Sequence, residues 1–116
     1  MKIKLVAFIT LFTLFFASCS NDNDSASLKG TKWTASLFES VLVIEFSSKT
    51  NFMDYTTDIQ GNVNSLGIDY GTYTFDGSLV TFNCNYELQR LRSATINGNV
   101  MTLTYETGFQ RTFMKR

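Results

Sequence analysis

The sequence predicts an all-β domain, an eight-stranded antiparallel up-and-down barrel, with a β-sandwich as the alternative way of closing the same strands. Three observations carry this expectation. From Thr31 onward the apolar residues recur with a period of two rather than 3.6. Two dipeptides of the kind that tight hairpin turns favour, Asp76-Gly77 and Asn97-Gly98, separate neighbouring apolar runs. The runs are short and regularly spaced, and the chain has no proline to interrupt a ladder.

The first run alternates Trp33, Ala35 and Leu37 with Lys32, Thr34 and Ser36. The second, Val41–Phe46, sets Leu42, Ile44 and Phe46 on one face and Val41 and Val43 on the other. The third, Asn51–Thr57, adds Met53 and Tyr55 to the side of Val41 and Val43. Tyr70–Phe75 and Leu79–Asn83 flank Asp76-Gly77. A two-residue loop there pairs Phe75 with Ser78, Tyr73 with Val80 and Gly71 with Phe82, which gathers Gly71, Tyr73, Phe75, Val80 and Phe82 on one face. Leu88–Ile96 and Val100–Tyr105 flank Asn97-Gly98. The same treatment pairs Ala94 with Met101, Arg92 with Leu103 and Arg90 with Tyr105. It brings two arginines onto the apolar face, unless a bulge turns them outward or Asn97-Gly98-Asn99 serves as a three-residue loop. Phe109–Lys115 completes the set.

In such a meander both termini and three of the connections lie at one end. The other end carries four connections, the longest being Asp58–Asp69 with Ile59, Val63, Leu66 and Ile68. A connection of that length is either functional or an extended hairpin tip. Closure as a barrel removes exposed edges, and an eight-stranded interior is either just filled by side chains or holds one small ligand.

The segment before the domain is expected to be an address. Lys2 and Lys4 precede an apolar run from Leu5 to Phe16, too short for a membrane span and of the length of a secretory apolar region. Phe16-Ala17-Ser18-Cys19 resembles the lipobox of bacterial lipoproteins, and this implies a signal peptide over 1–18, cleavage, and acylation of Cys19. Residues 19–27 then form the lipidated cysteine and a polar tether, Ser-Asn-Asp-Asn-Asp-Ser-Ala-Ser after the cysteine, reaching roughly 16 Å as a flexible coil. The acidic stretch is similar to the surface-export signals of lipoproteins in some Gram-negative bacteria, although a plain solvated linker has the same composition. Residues 28–116 are the folded domain. The expected location is therefore a membrane, the outer membrane of such a cell, with the domain periplasmic or on the cell surface. Acyl chains buried at about 0.8 kcal/mol per methylene hold it there.

Composition excludes more than it selects. Ten Lys and Arg balance ten Asp and Glu, so nucleic acid is not an expected partner. There is no histidine to activate a serine or cysteine. Glycine-rich phosphate loops and metal-ligand clusters are absent from the sequence pattern. Among Glu39, Glu45, Glu87 and Glu106 no spacing selects a catalytic pair. The domain is expected to be non-catalytic and to need no cofactor. Cys84 would be its single thiol, expected to pack as a small half-buried residue.

Leu28-Lys29-Gly30-Thr31-Lys32-Trp33 resembles the Gly-x-Trp opening of lipocalin-like domains, with the tryptophan three positions after the glycine rather than two. Residues 71–82 and 96–105 are similar to their hairpins. The resemblance implies the barrel, and small lipocalin-like lipoproteins of bacteria as the nearest kind. A binding barrel for a small apolar or amphiphilic molecule would use Trp33, Phe46, Tyr73, Phe82 and Tyr105 as walls and Arg92 or Arg111, with Arg90, as a grip on a carboxylate. The alternative is an interaction or inhibitor module with a side-chain-filled barrel, its partner surface an outward apolar patch of Val41, Val43, Met53 and Tyr55.

Overall fold

A computed structural model describes residues 27–64 and 67–116. The expected signal peptide, Cys19 and most of the tether lie outside the described residues, as do Ser65 and Leu66 of the longest connection. The strands are β1 (Lys32–Leu37), β2 (Ser40–Phe46), β3 (Asn51–Asp58), β4 (Asp69–Phe75), β5 (Leu79–Cys84), β6 (Leu91–Asn97), β7 (Val100–Tyr105) and β8 (Gln110–Lys115). Each pairs antiparallel with the next, and β8 returns to β1 through Trp33 opposite Lys115 and Thr34 opposite Met114. That last seam makes the architecture a closed barrel and not a sandwich. Among the described residues no helix is long and apolar enough to cross a membrane.

Alternation decides what lies inside. Trp33, Ile44, Phe46, Phe52, Tyr73, Val80, Phe82, Met101, Leu103 and Phe113 fill the interior toward the end carrying the termini. Trp33 is anchored as well as buried: its indole Nε1 donates to Thr31 Oγ1 at 2.9 Å. The Tyr73 ring meets Phe46 edge-on at 4.6 Å, and Phe52 meets Phe82 edge-on at 4.9 Å, the geometry that aromatic quadrupoles favour. Gly71 makes room for this. A methyl group on it would lie 2.6 Å from a Phe52 ring carbon and 2.7 Å from the Asn83 carbonyl oxygen.

The hairpin registers differ from the two-residue-loop expectation by two residues, which changes every partner but keeps the faces of the paired residues as far as a bulge in β6. Phe75 pairs with Val80 and Tyr73 with Phe82, so the turn centres on Gly77 and Ser78. Asp76 causes the shift: its Oδ1 accepts the amides of Ser78 at 3.0 Å and Leu79 at 2.8 Å, an Asx-type turn that a simple two-residue loop after Phe75 would forfeit. In the second hairpin Ile96 pairs with Met101 and Ala94 with Leu103. The register then slips between Leu91 and Ser93, where β6 carries one residue more than β7. Regular pairing would put Arg92 opposite Tyr105, facing inward. The bulge puts Leu91 there instead and leaves Arg92 exposed.

The β5–β6 seam is short. Its ladder runs from Leu79 to Thr81 on one side and Ser93 to Thr95 on the other. Beyond it the Cys84 thiol takes the place of a ladder bond, accepting the Leu91 amide at 3.3 Å. Cys84 is buried, more deeply than the half-buried position expected from sequence. Residues 85–90 are irregular, so β6 begins at Leu91 and not at Leu88.

Candidate functional site

The interior is filled at the end holding the termini and hollow at the opposite, distal end. A cavity of about 410 Å³ opens there, lined by Leu37, Leu42, Arg90, Tyr105, Phe109 and Arg111 with Glu87, Gln89, Glu106 and Thr107 around them. A second cavity of about 230 Å³ adjoins it and shares Leu42, Gln89 and Tyr105; Asp54, Asp69, Asn64 and Phe113 are among its other walls. Volumes of this order suit a small ligand.

Strand alternation supplies most of these groups. Leu42, Asp54, Tyr105 and Arg111 sit one or two steps distal to the packed residues of their strands, and Arg111 lies opposite Leu103. Arg90 stands just before β6, its carbonyl accepting the Glu106 amide at 2.9 Å. Gln89 beside it has a φ of 53°, a left-handed conformation that a non-glycine residue adopts at a cost.

The electrostatics are unusual for so small a barrel. The Nε atoms of Arg90 and Arg111 are buried without a hydrogen-bond partner. A buried donor left unsatisfied costs on the order of 1–3 kcal/mol. The Arg111 guanidinium carbon lies 5.1 Å from the centre of the Phe109 ring, over its face, which gives one cation a partial partner. On the other side of Tyr105, Asp54 accepts a hydrogen bond from the Tyr86 hydroxyl at 3.0 Å through Oδ2. Burial pushes the Asp54 carboxyl up to about 6, with the Tyr86 bond pulling down and the nearby Asp69 charge adding to the rise. Burial and the Asp54 charge together push the Tyr86 hydroxyl well above its ordinary value. Tyr105 is raised by burial too, while the Arg111 guanidinium draws it back. Among the described residues no cluster of three or more histidine, cysteine, aspartate or glutamate side chains is arranged to hold a metal.

The residues expected at a site divide by height in the barrel. Tyr105 and Arg111 line the distal cavity. Trp33, Phe46, Tyr73 and Phe82 lie in the packed core at the opposite end, where they fill the barrel, and none of them lines the two distal cavities. Arg92 is carried to the exterior by the bulge, and Arg90 stands at the cavity in its place. The exterior patch is smaller than expected. Val43 is only 4% exposed, and Val41, Met53 and Tyr55 are half-buried. Tyr55 donates to Glu45 at 2.9 Å, and burial together with that bond pushes its hydroxyl up to about 12. The Asp58–Asp69 connection folds back beside this patch: Val63 bridges to Thr57, and the Asn64 amide donates to the Thr56 carbonyl at 2.7 Å. It extends the β3 hairpin and also contributes Asn64, Gly67 and Asp69 to the second cavity.

The sequence pattern does not single out Asp54, Tyr86, Gln89 or Asp69. Asp54 follows from parity alone, since placing Met53 and Tyr55 outside puts Asp54 inside. Tyr86 and Gln89 lie in an irregular segment with no periodic signal. No family model matches the chain, and neither a curated protein nor a solved structure matches it.

Proposed function

We propose that this chain is a membrane-anchored, non-catalytic binding barrel, lipocalin-like in architecture, that takes a small amphiphilic molecule into its distal end. The observation that carries the reading is the cavity of about 410 Å³ whose apolar walls, Leu37, Leu42, Tyr105 and Phe109, surround the two arginines with buried, unpartnered Nε atoms. Apolar walls with a few convergent polar groups are what small-molecule sites are made of. Guanidinium groups with an unpartnered Nε suit an anionic headgroup, which they bind bidentately. The anchor rests on Lys2, the Leu5–Phe16 run and the Phe16-Ala17-Ser18-Cys19 motif. In that arrangement the tether leaves from the end opposite the cavity, so the opening points away from the anchoring membrane. Titration with anilinonaphthalene sulfonate, an apolar anion, tests the site. Saturable binding to the wild type that weakens at least tenfold in Arg111→Met supports it. The same affinity in both proteins refutes it. Mass spectrometry of the membrane-extracted chain tests the anchor, an unmodified Cys19 being the result that refutes it.

A second reading, an interaction or inhibitor module, is favoured by a different observation. Each of the four distal connections presents at least one exposed bulky apolar residue, Phe38, Ile59, Leu88 and Phe109 among them. Phe38 is 99% exposed, with a φ of 54°. A ring of apolar tips at one end of a domain suits a partner surface. Replacing Phe38 and Leu88 with serine should abolish binding of a partner captured by the wild type and leave thermal stability nearly unchanged. Capture undiminished in the double variant argues for the binding barrel alone.

A further inference from the structure

The two distal cavities share a wall and carry opposite charge. On one side of Tyr105 stand Arg90 and Arg111, on the other Asp54 and Asp69. Cations and carboxylates confined in one low-dielectric opening attract strongly, and direct pairing would be the simplest way to relieve their desolvation. The described side chains do not pair that way. Both arginine Nε atoms are without a partner. Asp54 is held through Oδ2 by the hydroxyl of Tyr86, a neutral partner. Glu87 and Glu106 border the larger cavity and Asp69 the smaller one; all three are exposed at the rim, where solvent and salt screen them, and Asp54 is the carboxylate held further in. Inside the rim the opening therefore has a cationic side, where both arginine Nε atoms are unpartnered, and an anionic side at Asp54, whose hydrogen-bond partner Tyr86 is neutral. Leu42, Tyr105 and Phe113 offer apolar surface between and beneath them.

We propose that the distal opening recognises a zwitterionic amphiphile, its anionic group on Arg90 and Arg111, its cationic group on Asp54 and Asp69, and its apolar body against Leu42, Tyr105 and Phe113. This rests on the binding-barrel reading and narrows the ligand class. A simple carboxylate would satisfy the arginines and leave Asp54 buried without a cation. A simple amine would do the reverse. One molecule carrying both charges satisfies both halves, and the shared wall lets it span them.

The test uses the full chain in non-ionic detergent at pH 7.5 and one set of eight-carbon probes followed by isothermal titration calorimetry. The probes are octanoate, octylamine, and aminooctanoate isomers with the ammonium next to the carboxylate, mid-chain, and at the chain end. The expected result is that at least one aminooctanoate binds tenfold or more tighter than octanoate and octylamine. Asp54→Asn should erase that advantage while leaving octanoate affinity equal or higher. Asp69→Asn, at an exposed position, should reduce the same advantage without disturbing the fold. If octanoate binds as tightly as every aminooctanoate and Asp54→Asn strengthens both alike, the opening is an anion site and the zwitterion proposal is overturned, with the binding barrel intact. If no probe binds the wild type, the binding reading falls and the proposal with it.

Discussion

Replacing Asp54 with asparagine should make the protein more stable at neutral pH. The Asp54 carboxyl titrates at about 6 in the folded protein and has an ordinary value of 3.8, a gap of about two pH units. Each unit corresponds to 1.36 kcal/mol of differential interaction, so the ionised carboxylate costs the fold about 3 kcal/mol once both states have released the proton. The sign follows from proton binding. Between about pH 4 and pH 6 the folded state holds a proton that the unfolded state has lost, and stability falls as pH rises across that window. Asparagine keeps the shape and can still accept from Tyr86 without carrying charge. Its incompletely paired amide recovers somewhat less than the full amount, about 2 kcal/mol, or roughly 10 °C in melting temperature for a domain of this size. The assay is urea unfolding of wild type and Asp54→Asn at pH 7.5 and pH 4. The variant should be the more stable at pH 7.5, and the difference should vanish at pH 4, where wild-type Asp54 is neutral. Because the group is shielded from solvent, added salt should change little. A variant less stable at pH 7.5, or an effect equal at both pH values, would overturn this account.

Other expectations are more local. Gly71→Ala drives a methyl group into the Phe52 ring and the Asn83 carbonyl oxygen. The ring can yield and the backbone cannot, so the cost should reach about 3 kcal/mol, measured as a fall of roughly 15 °C in melting temperature. Cys84→Ala leaves the buried Leu91 amide without its acceptor and should cost about 2 kcal/mol in urea unfolding; Cys84→Ser, which restores an acceptor, should recover part of it. Asp76→Ala should lower the melting temperature at neutral pH. The Leu79 and Ser78 amides hold the Asp76 carboxyl below its ordinary value, so its contribution is present above about pH 4 and lost as pH falls further, and the two proteins should converge in acid.

Alternation and turn residues made the barrel legible. Trp33, Ala35 and Leu37, or Tyr73 and Phe82, announce a face by parity, and parity survives a register error of two residues. Partners are less legible than faces, because they depend on which amides a side chain such as Asp76 captures. The distal site is harder still. The bulge that turns Arg92 outward is not specified by periodicity, and Arg90, Tyr86 and Gln89 belong to a segment without a ladder. Asp54 was within reach of parity, but an acidic residue between Met53 and Tyr55 looks solvent-facing until the strand is placed. The aromatic residues point toward the filled end because apolar pattern marks what packs; it does not mark what is left open.

The bulge at Leu91–Ser93 has a consequence for how this barrel can diversify. The pairs on its two sides, Leu91 with Tyr105 and Ser93 with Thr104, are already in adjacent register, so Arg92 is a removable residue. Deleting it would leave a regular strand with the same inward side chains. Replacing it would alter only the outside. An insertion or deletion anywhere else in β6 would instead exchange inside for outside along the rest of the strand. At this one position strand length is free to vary, and the chemistry of the opening is insulated from that variation.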